Sequence, residues 1–177
     1  QGSAEHLEET LATCLADGTI RAAVIAKNNT EAQRFWRLRH SVSEAQKRER
    51  TSVKHDISLP IASVEVFLSR CAVALKEALP QAEPVVFGHI GDGNLHYNVM
   101  FPATTEPAEL AELGDRATLL IYDLVAELGG SFSAEHGVGQ VKKKYLEKYK
   151  DSVDLELMRA VKKALDPANI LNPGKVI

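Results

Sequence analysis

The segment FGHIGDGNLHYN (residues 87–98) places two of the six histidines of the chain on either side of a Gly-Asp-Gly-Asn turn. Apolar runs on both sides of such a turn predict a β-hairpin. With residues 91–94 as the turn, His89 lies directly opposite His96, and opposed side chains share a face with Cβ atoms about 4.5–5.5 Å apart. Two such imidazoles can bind one divalent ion, and Asn98 faces the same side. A register change of one residue would put the histidines on opposite faces.

A glycine-rich loop, SAEHGVG, adds an acid and an imidazole that are adjacent in sequence, Glu135 and His136. Two histidines and a carboxylate are a common metal-binding set with open coordination positions, and the set suits zinc, manganese, iron or cobalt. The adjacent His136 would remain available for acid–base chemistry. The alternative is that the hairpin histidines are an ordinary cross-strand polar pair. Asp92 and Asn94 are expected to stabilise the turn, because both residue types tolerate left-handed backbone.

Other polar residues with a regular spacing lie upstream of the hairpin. Arg39 falls near the middle of a predicted helix, Ser43 follows one turn later, and Lys54 begins the next predicted strand. By residue type alone, the arginine and the lysine indicate an ordinary solvated surface. Trp36 on the same helix is predicted to belong to the core.

The candidate residues lie on alternating helices and strands. Apolar positions at helical spacing predict the helices, and β-branched alternation predicts the strands. The order predicts an α+β fold in which helices cover one face of an antiparallel or mixed sheet, followed by a helical C-terminal region and an irregular tail. The predicted helices are 4–17, 30–49, 63–79, 107–128, 139–148 and 152–165, the second of them capped by Asn29 or Thr30, and the predicted strands are 19–26, 53–60 and the two arms of the hairpin.

The composition argues against several functional classes. The net charge of −3 and the sequence pI of about 6.1 give no indication of binding to nucleic acid or to an anionic membrane surface. No apolar run approaches the roughly 18 residues of a transmembrane segment. Cys14 and Cys71 are far apart and outside any CxxC pattern, which is typical of thiols in a reducing compartment such as the cytoplasm. Residues 1–3, Gln-Gly-Ser, look like the remnant of an expression tag.

Three separated segments, HIGDGNLHYN, SAEHGVG and LDPANILNPGK, occur in an order that resembles the C-terminal part of FAD-linked D-2-hydroxyacid oxidoreductases, flavoproteins of the vanillyl-alcohol oxidase type. The resemblance extends from the FWRLRHSVSEA helix to the end of the chain. It implies that residues 4–177 form a cap domain with a ferredoxin-like antiparallel sheet, which closes over an FAD bound by an N-terminal domain. The implied reaction is oxidation of a D-2-hydroxy acid, such as lactate, glycolate or 2-hydroxyglutarate, to a 2-keto acid.

The resemblance also assigns roles to individual residues. The ligands of the family's divalent ion, zinc or manganese, map onto His89, His96 and Glu135. The histidine that follows this glutamate is the proposed base, and it maps onto His136. The asparagine after the second metal-binding histidine maps onto Asn98, which is expected to contact the substrate.

In the same family, the substrate carboxylate binds to an arginine, to a small hydroxyl residue one turn later and to a lysine. These map onto Arg39, Ser43 and Lys54. Arginine suits planar, bidentate recognition of a carboxylate, and lysine supplies a point charge. Asn172, in the ILNPGK tail, maps onto a position that approaches the flavin. His55 occupies a position of the KHDISLP strand where a variable residue is expected.

The sequence lacks the elements that would bind flavin without a further domain. No GxGxxG turn is present, and 177 residues do not accommodate two more α/β subdomains. We therefore expect a fragment or cap domain of a longer protein, with the FAD-binding domain as its partner. Alone it should bind flavin poorly and should not turn over substrate. An isolated cap can form a homodimer through exposed apolar surface, and the parent enzyme can associate peripherally with a membrane.

Two other functional classes compete with this interpretation. One is a non-catalytic metal- or metabolite-binding module, and the other is a small metal-dependent hydrolase. A hydrolase would leave the LDPANILNPGK tail unexplained. A binding module without catalysis has no need of the complete polar set, which comprises Arg39, Lys54, His89, His96, Glu135 and His136.

Overall fold

The computed structural model describes residues 2–49 and 51–177, and for residues 43–49 it describes the backbone alone. The chain divides into two compact units, an N-terminal unit of residues 1–48 and a C-terminal unit of residues 49–177. Among the described residues, no helix is both long enough and apolar enough to cross a membrane.

The N-terminal unit contains helices and, within the residues described, no strand. Helix α1 spans Gly2–Ala16 and helix α2 spans Asn29–Glu49, close to the predicted limits. The strand predicted at residues 19–26 is wrong, because this segment is irregular and pairs with none of the described strands. β-Branched residues favour a strand where a neighbouring strand or a core receives them, whereas Val24 is 77% exposed.

The start of α2 is held by a reciprocal capping arrangement. The Glu31 N–H donates to Asn28 Oδ1 at 3.0 Å, and the Lys27 N–H donates to Glu31 Oε2 at 2.8 Å. Such a pair satisfies backbone donors that the first turn of a helix leaves without partners. The capping residue is therefore Asn28, before the predicted Asn29 or Thr30.

The C-terminal unit is built around an antiparallel sheet with three strands in the described part of the chain. Its first strands and helices, in chain order, are β1 (Thr51–Ser58), α3 (Val64–Ala78), β2 (Glu83–His89), β3 (Asn94–Phe101) and α4 (Pro107–Glu127). Strand β3 lies in the centre and pairs with β1 on one side and β2 on the other. This arrangement confirms the predicted α+β class with an antiparallel sheet.

A ferredoxin-like arrangement has a fourth strand, which follows the second of the two helices that cover the sheet. Here that helix is α4. Beside β1, the structure has an isolated antiparallel bridge between Ser58 and Ser131, with backbone hydrogen bonds of 2.9 and 2.8 Å. Gly130 permits this approach, because a Cβ there would lie 2.4 Å from the Ser58 carbonyl oxygen. The bridge occupies the expected place of the fourth strand, but it is too short to be one. The ferredoxin-like description therefore stays a prediction.

One face of the sheet is apolar and carries the hydrophobic core. Alternate residues of β1 and β3 point to this face, and α3 and α4 pack over it, as predicted. The Phe67 and Tyr97 rings meet edge to face with centroids 5.6 Å apart. Full burial of an apolar side chain of this size contributes about 1.5–3 kcal/mol. Other core residues with at most 1% exposure are Ile57, Cys71, Leu75, Leu79, Val99, Phe101, Ala117, Ile121 and Val125.

His55 also points into this core and is 1% exposed. Its Nδ1 lies 2.8 Å from the Tyr97 carbonyl oxygen, and its Nε2 lies 3.0 Å from Thr118 Oγ1. Burial lowers the pKa of His55 to about 4, although the hydrogen bond to Tyr97 favours the protonated ring. The ring is therefore a neutral part of the core at ordinary pH.

Two shorter helices follow the SAEHGVG loop. Helix α5 spans Lys143–Tyr149 and helix α6 spans Ser152–Leu165. Helix α5 begins later than the predicted residue 139, because Gly137 and Gly139 have φ angles of 72° and 56°, which an α-helix does not allow. The predicted limits of α6 are confirmed, and the Asp151 carboxylate caps it by accepting the Val153 N–H at 2.8 Å.

The tail after α6 is irregular, as predicted, and Asp166 organises its first turn. The Asp166 carboxylate pairs with Lys162 and accepts the N–H groups of Ile170 and Leu171, both at 2.9 Å. The hydrogen bond from Lys162 is the largest cause that lowers the pKa of Asp166 to about 2.

Helix α6 exposes an apolar stripe at every fourth position. Leu157, Val161 and Leu165 are 62%, 50% and 77% exposed. Residues at i and i+4 lie on the same side of a helix. The stripe forms one wall of an apolar groove of about 570 Å³ between α6 and the tail.

Candidate metal centre

The hairpin positions the two histidines in a different register from the predicted one. His89 pairs with Asn94, and Phe87 pairs with His96. The reversal occupies residues 90–93, so the predicted direct opposition of His89 and His96 is wrong. The observed register differs from the predicted one by two residues, and side chains alternate with a period of two. The two histidines therefore still share one face, in a diagonal arrangement.

The turn is one residue earlier than predicted because of contacts outside the hairpin. Gly93 closes the reversal with a φ of 66°, a left-handed conformation that glycine adopts readily. Its carbonyl oxygen accepts the Leu59 N–H at 2.9 Å. A Cβ at Gly93 would lie 1.9 Å from the Leu59 carbonyl oxygen. The segment after β1 thus fits against the turn and leaves Asn94 as the first residue of β3.

The structure brings together the three predicted metal ligands. His89, His96 and Glu135 each offer a ligand atom within 4.8 Å of the other two. Glu135 Oε1 lies 3.8 Å from His89 Nε2, and Glu135 Oε2 lies 3.5 Å from His96 Nε2. Two imidazole nitrogens and a carboxylate at this spacing fit a small divalent ion with coordination positions left open.

The His96 ring is the most enclosed of these ligands. It is 15% exposed, whereas the side chains of His89 and Glu135 are about half exposed. The ring lies between Phe87, with centroids 5.1 Å apart, and His136, with centroids 5.7 Å apart. Neighbouring rings on both sides restrict its orientation, so its Nε2 faces the carboxylate of Glu135.

Asp56 connects the glycine-rich loop to the sheet, and the sequence-based reasoning missed it. Its Oδ2 accepts the N–H groups of Glu135 at 2.7 Å and His136 at 2.8 Å, and its Oδ1 accepts the Asn94 amide at 2.9 Å. Burial alone would raise the pKa of Asp56, but the hydrogen bonds from His136, Asn94 and Glu135 outweigh burial and lower it. The only signal in the sequence was an acid two positions after Lys54, on the same face of β1.

His136, the predicted base, lies beside the three candidate ligands. Its side chain is 65% exposed, and its Nδ1 lies 3.6 Å from Asp56 Oδ2. The backbone of the same loop fixes both His136 and Glu135, because successive N–H groups bond to one carboxylate oxygen. A ligand in this site can therefore meet the carboxylate of Glu135 and the imidazole of His136 from a single loop.

Comparison with known proteins identifies the family of the chain. The family model for FAD linked oxidases, C-terminal domain, matches residues 1–176. The chain belongs to this family. Proteins named D-2-hydroxyglutarate dehydrogenase are similar to it. The protein from Xanthomonas citri pv. viticola is 41% identical over 93% of this chain and 34% of its own length. The protein from Stutzerimonas stutzeri is 38% identical over 97% of this chain and 38% of its own length.

Eukaryotic relatives show the same partial coverage. The mitochondrial D-2-hydroxyglutarate dehydrogenase of Rattus norvegicus is 38% identical over 98% of this chain and 31% of its own length. The chain thus spans about a third of the length of the curated relatives that it matches.

In this FAD-linked oxidase C-terminal domain, two predicted substrate-binding residues lie on the polar face of the sheet. Lys54 on β1 pairs directly with Asn98 on β3, and the next pair on the same face is Asp56 with His96. Lys54 is exposed and Asn98 is buried. The structure thus places a cation and an amide in the row next to His96, a candidate metal ligand.

The remaining predicted residues of the family domain lie elsewhere in the chain. Arg39 is a half-buried residue of α2 in the N-terminal unit, and the side chain of Ser43 lies outside the described residues. Trp36 is 61% exposed and stacks on His40 with ring centroids 5.8 Å apart, so the prediction that it belongs to the core is wrong. Asn172 is exposed in the tail, with a left-handed φ of 48°.

Proposed function

We propose that this chain forms the substrate- and metal-binding part of an FAD-dependent enzyme that oxidises a D-2-hydroxy acid to a 2-keto acid. The observation that carries the proposal is the arrangement of His89, His96 and Glu135 beside His136, on the polar face of the sheet. Membership of the FAD-linked oxidase family and the names of the relatives support it. We propose D-2-hydroxyglutarate as the first substrate to test.

In the proposed reaction, His89, His96 and Glu135 would hold a zinc or manganese ion. When bound, the metal makes the substrate hydroxyl more acidic, and the flavin accepts the hydride from Cα. The Nε2 of His136 accepts the hydroxyl proton, because imidazole is suited to proton transfer near neutral pH. The FAD itself would be bound mainly by a further domain of the parent protein, with Asn172 approaching it.

The substrate carboxylate is proposed to bind to Arg39, Ser43 and Lys54, with Asn98 donating a further hydrogen bond. Lys54 and Asn98 support this proposal by their direct cross-strand pairing next to His96. A second carboxylate, as in 2-hydroxyglutarate, would need another cation. The unassigned candidates are Arg34, Arg37 and Lys47.

Calorimetric titration of the metal-stripped chain with zinc and manganese tests the metal centre. We expect one site per chain, lost in both His89→Ala and Glu135→Ala. His6→Ala and Glu109→Ala are matched controls, because they change the same residue types at exposed positions of α1 and α4. Absence of binding to the wild type, or equal binding by all variants, would contradict the metal assignment.

The reaction itself is tested on the full-length parent flavoprotein with D-2-hydroxyglutarate, D-lactate and glycolate. We expect turnover of at least one of these acids and its loss in His136→Ala. The 177-residue chain alone should retain no FAD after unbound FAD is removed by desalting, because the flavin would bind mainly to the other domain. A stable yellow complex of the isolated chain would refute that division of roles.

Two further properties complete the proposal. The exposed stripe of Leu157, Val161 and Leu165 supports a homodimer of the isolated domain, since apolar patches of this kind favour association. Analytical ultracentrifugation of the wild type beside Leu157→Glu tests the homodimer.

Cys14 and Cys71 are both free thiols, which supports a cytoplasmic location for the parent enzyme.

A further inference from the structure

Asp56 is a buried carboxylate, 2% exposed. It contacts both halves of the candidate centre, which are the hairpin and the Glu135–His136 loop. We propose that Asp56 is a positioning residue, which fixes the Glu135–His136 loop against the hairpin and selects the ring nitrogen that His136 presents to the site. The inference rests on the proposed function, because the substrate gives that nitrogen its role.

The first contact is with the loop. Asp56 Oδ2 accepts two successive backbone N–H groups, from Glu135 at 2.7 Å and from His136 at 2.8 Å. The Asp56 carbonyl oxygen also accepts the Ala134 N–H at 3.2 Å. Hydrogen bonds to an ionised acceptor are about twice as strong as neutral ones. One residue of β1 therefore fixes the three-residue segment that carries the predicted third ligand and the predicted base.

The second contact is with the hairpin. Asp56 Oδ1 accepts the Asn94 amide at 2.9 Å, and the same amide group lies 3.2 Å from the Ile57 carbonyl oxygen. Asn94 is the cross-strand partner of His89. Asp56 is in turn the partner of His96 on the other side of β3. The two oxygens of one carboxylate thus face different halves of the centre, so the side chain holds these halves at a fixed separation.

The third contact concerns the imidazole rings. His96 Nδ1 lies 3.8 Å from Asp56 Oδ1, and His136 Nδ1 lies 3.6 Å from Asp56 Oδ2. A carboxylate on the Nδ1 side favours the neutral tautomer with its proton on Nδ1, and this leaves the Nε2 lone pair available. For His96, Glu135 Oε2 lies 3.5 Å from Nε2, so two carboxylates compete for the ring proton and Asp56 alone does not decide the tautomer. For His136, the Nε2 that is left available is the nitrogen that accepts a proton in the proposed reaction.

Asp56→Asn is the variant that separates positioning from packing. Asparagine keeps the size of the side chain, and its oxygen can still accept the two loop N–H groups. Its amide nitrogen would then face the Asn94 amide, a donor facing a donor, and the negative charge beside both rings is lost. Asp115→Asn is the matched control, because Asp115 is an exposed aspartate that pairs with Lys144 on the surface.

The decisive experiment is nitrogen-15 NMR of the histidine side chains in metal-free protein at pH 8. We expect the wild type and Asp115→Asn to hold His136 as the Nδ1–H tautomer, and Asp56→Asn to lose this preference. Hydrogen–deuterium exchange should become faster at residues 134–136 in Asp56→Asn and stay unchanged in α3. Zinc and manganese should then bind Asp56→Asn about 10–100-fold more weakly than the wild type.

The outcomes distinguish this inference from the proposed function. An Nε2–H tautomer of His136 in the wild type would overturn the inference even if Asp56→Asn fails to fold. Unchanged tautomers and unchanged exchange in a folded Asp56→Asn would overturn it too. If the wild type binds no metal while tautomers and loop exchange respond as expected, the metal assignment fails and the positioning role of Asp56 stands.

Discussion

Acid should destabilise this protein through His55, a residue of the core rather than of the candidate centre. Burial lowers the pKa of His55 from 6.5 to about 4, so the folded protein binds this proton less readily than the unfolded chain does. Neutral His55 therefore contributes to the free energy of unfolding in full above pH 6.5, and this contribution is lost as the pH falls from 6.5 towards 4. The difference between the two pKa values corresponds to about 3 kcal/mol of stability. The loss should be about 1 kcal/mol at pH 5.5 and about 2–3 kcal/mol at pH 4.5.

Urea denaturation at pH 7.5, 6.5, 5.5 and 4.5 measures this dependence. The His55→Asn variant keeps a donor near the Nδ1 position, opposite the Tyr97 carbonyl, but it does not ionise. It should be less stable than the wild type at pH 7.5 and should lose about 2–3 kcal/mol less on acidification to pH 4.5. Replacement of the exposed His6 by asparagine is the control and should leave the wild-type pH dependence. Equal slopes in the wild type and His55→Asn would refute the reasoning.

Two further predictions concern stability. Gly93→Ala should destabilise the protein by about 2 kcal/mol or more, because its Cβ would lie 1.9 Å from the Leu59 carbonyl oxygen at a φ of 66°. Gly91→Ala, where a Cβ meets nothing within 4 Å, should change the free energy of unfolding by less than about 0.5 kcal/mol. Phe67→Ala should cost about 3–5 kcal/mol, since the ring is fully buried. Val66→Ala, 47% exposed, should cost far less. Urea denaturation of the two variants in each pair measures these changes. Equal losses of unfolding free energy within a pair would contradict the packing described.

Local patterns in the sequence were sufficient to predict the hairpin and the residue types that meet beside it. A glycine-rich turn between apolar runs specifies a reversal, and an even change of register leaves His89 and His96 on one face. The register itself was not predictable, because it depends on the fit of Gly93 against Leu59, a contact from outside the hairpin. The strand predicted at 19–26 failed for a related reason, since no described strand pairs with it.

The role of Asp56 was also beyond local reasoning. In sequence it is one polar residue of an alternating strand, equivalent by pattern to Lys54 two positions earlier. In the structure Lys54 is exposed and Asp56 is buried, because the Glu135–His136 loop folds over Asp56 alone. Burial of a carboxylate is stable here only because backbone and amide donors satisfy its oxygens. Those donors belong to segments that are distant in sequence, and no repeating pattern of residues in the sequence indicates that they meet.

The hydrogen bonds that join Asp56 to Glu135 and His136 link residues 79 and 80 positions apart in the chain. Bringing such distant segments together costs conformational entropy that is recovered only when both ends are structured. During synthesis, both hairpin histidines emerge about forty residues before Glu135 does. A nascent chain therefore carries an incomplete set of the candidate ligands until the loop after α4 has left the ribosome. Any metal affinity of the candidate centre would then develop only when this loop docks on Asp56, and the time at which it appears would report that docking rather than the pairing of the three strands.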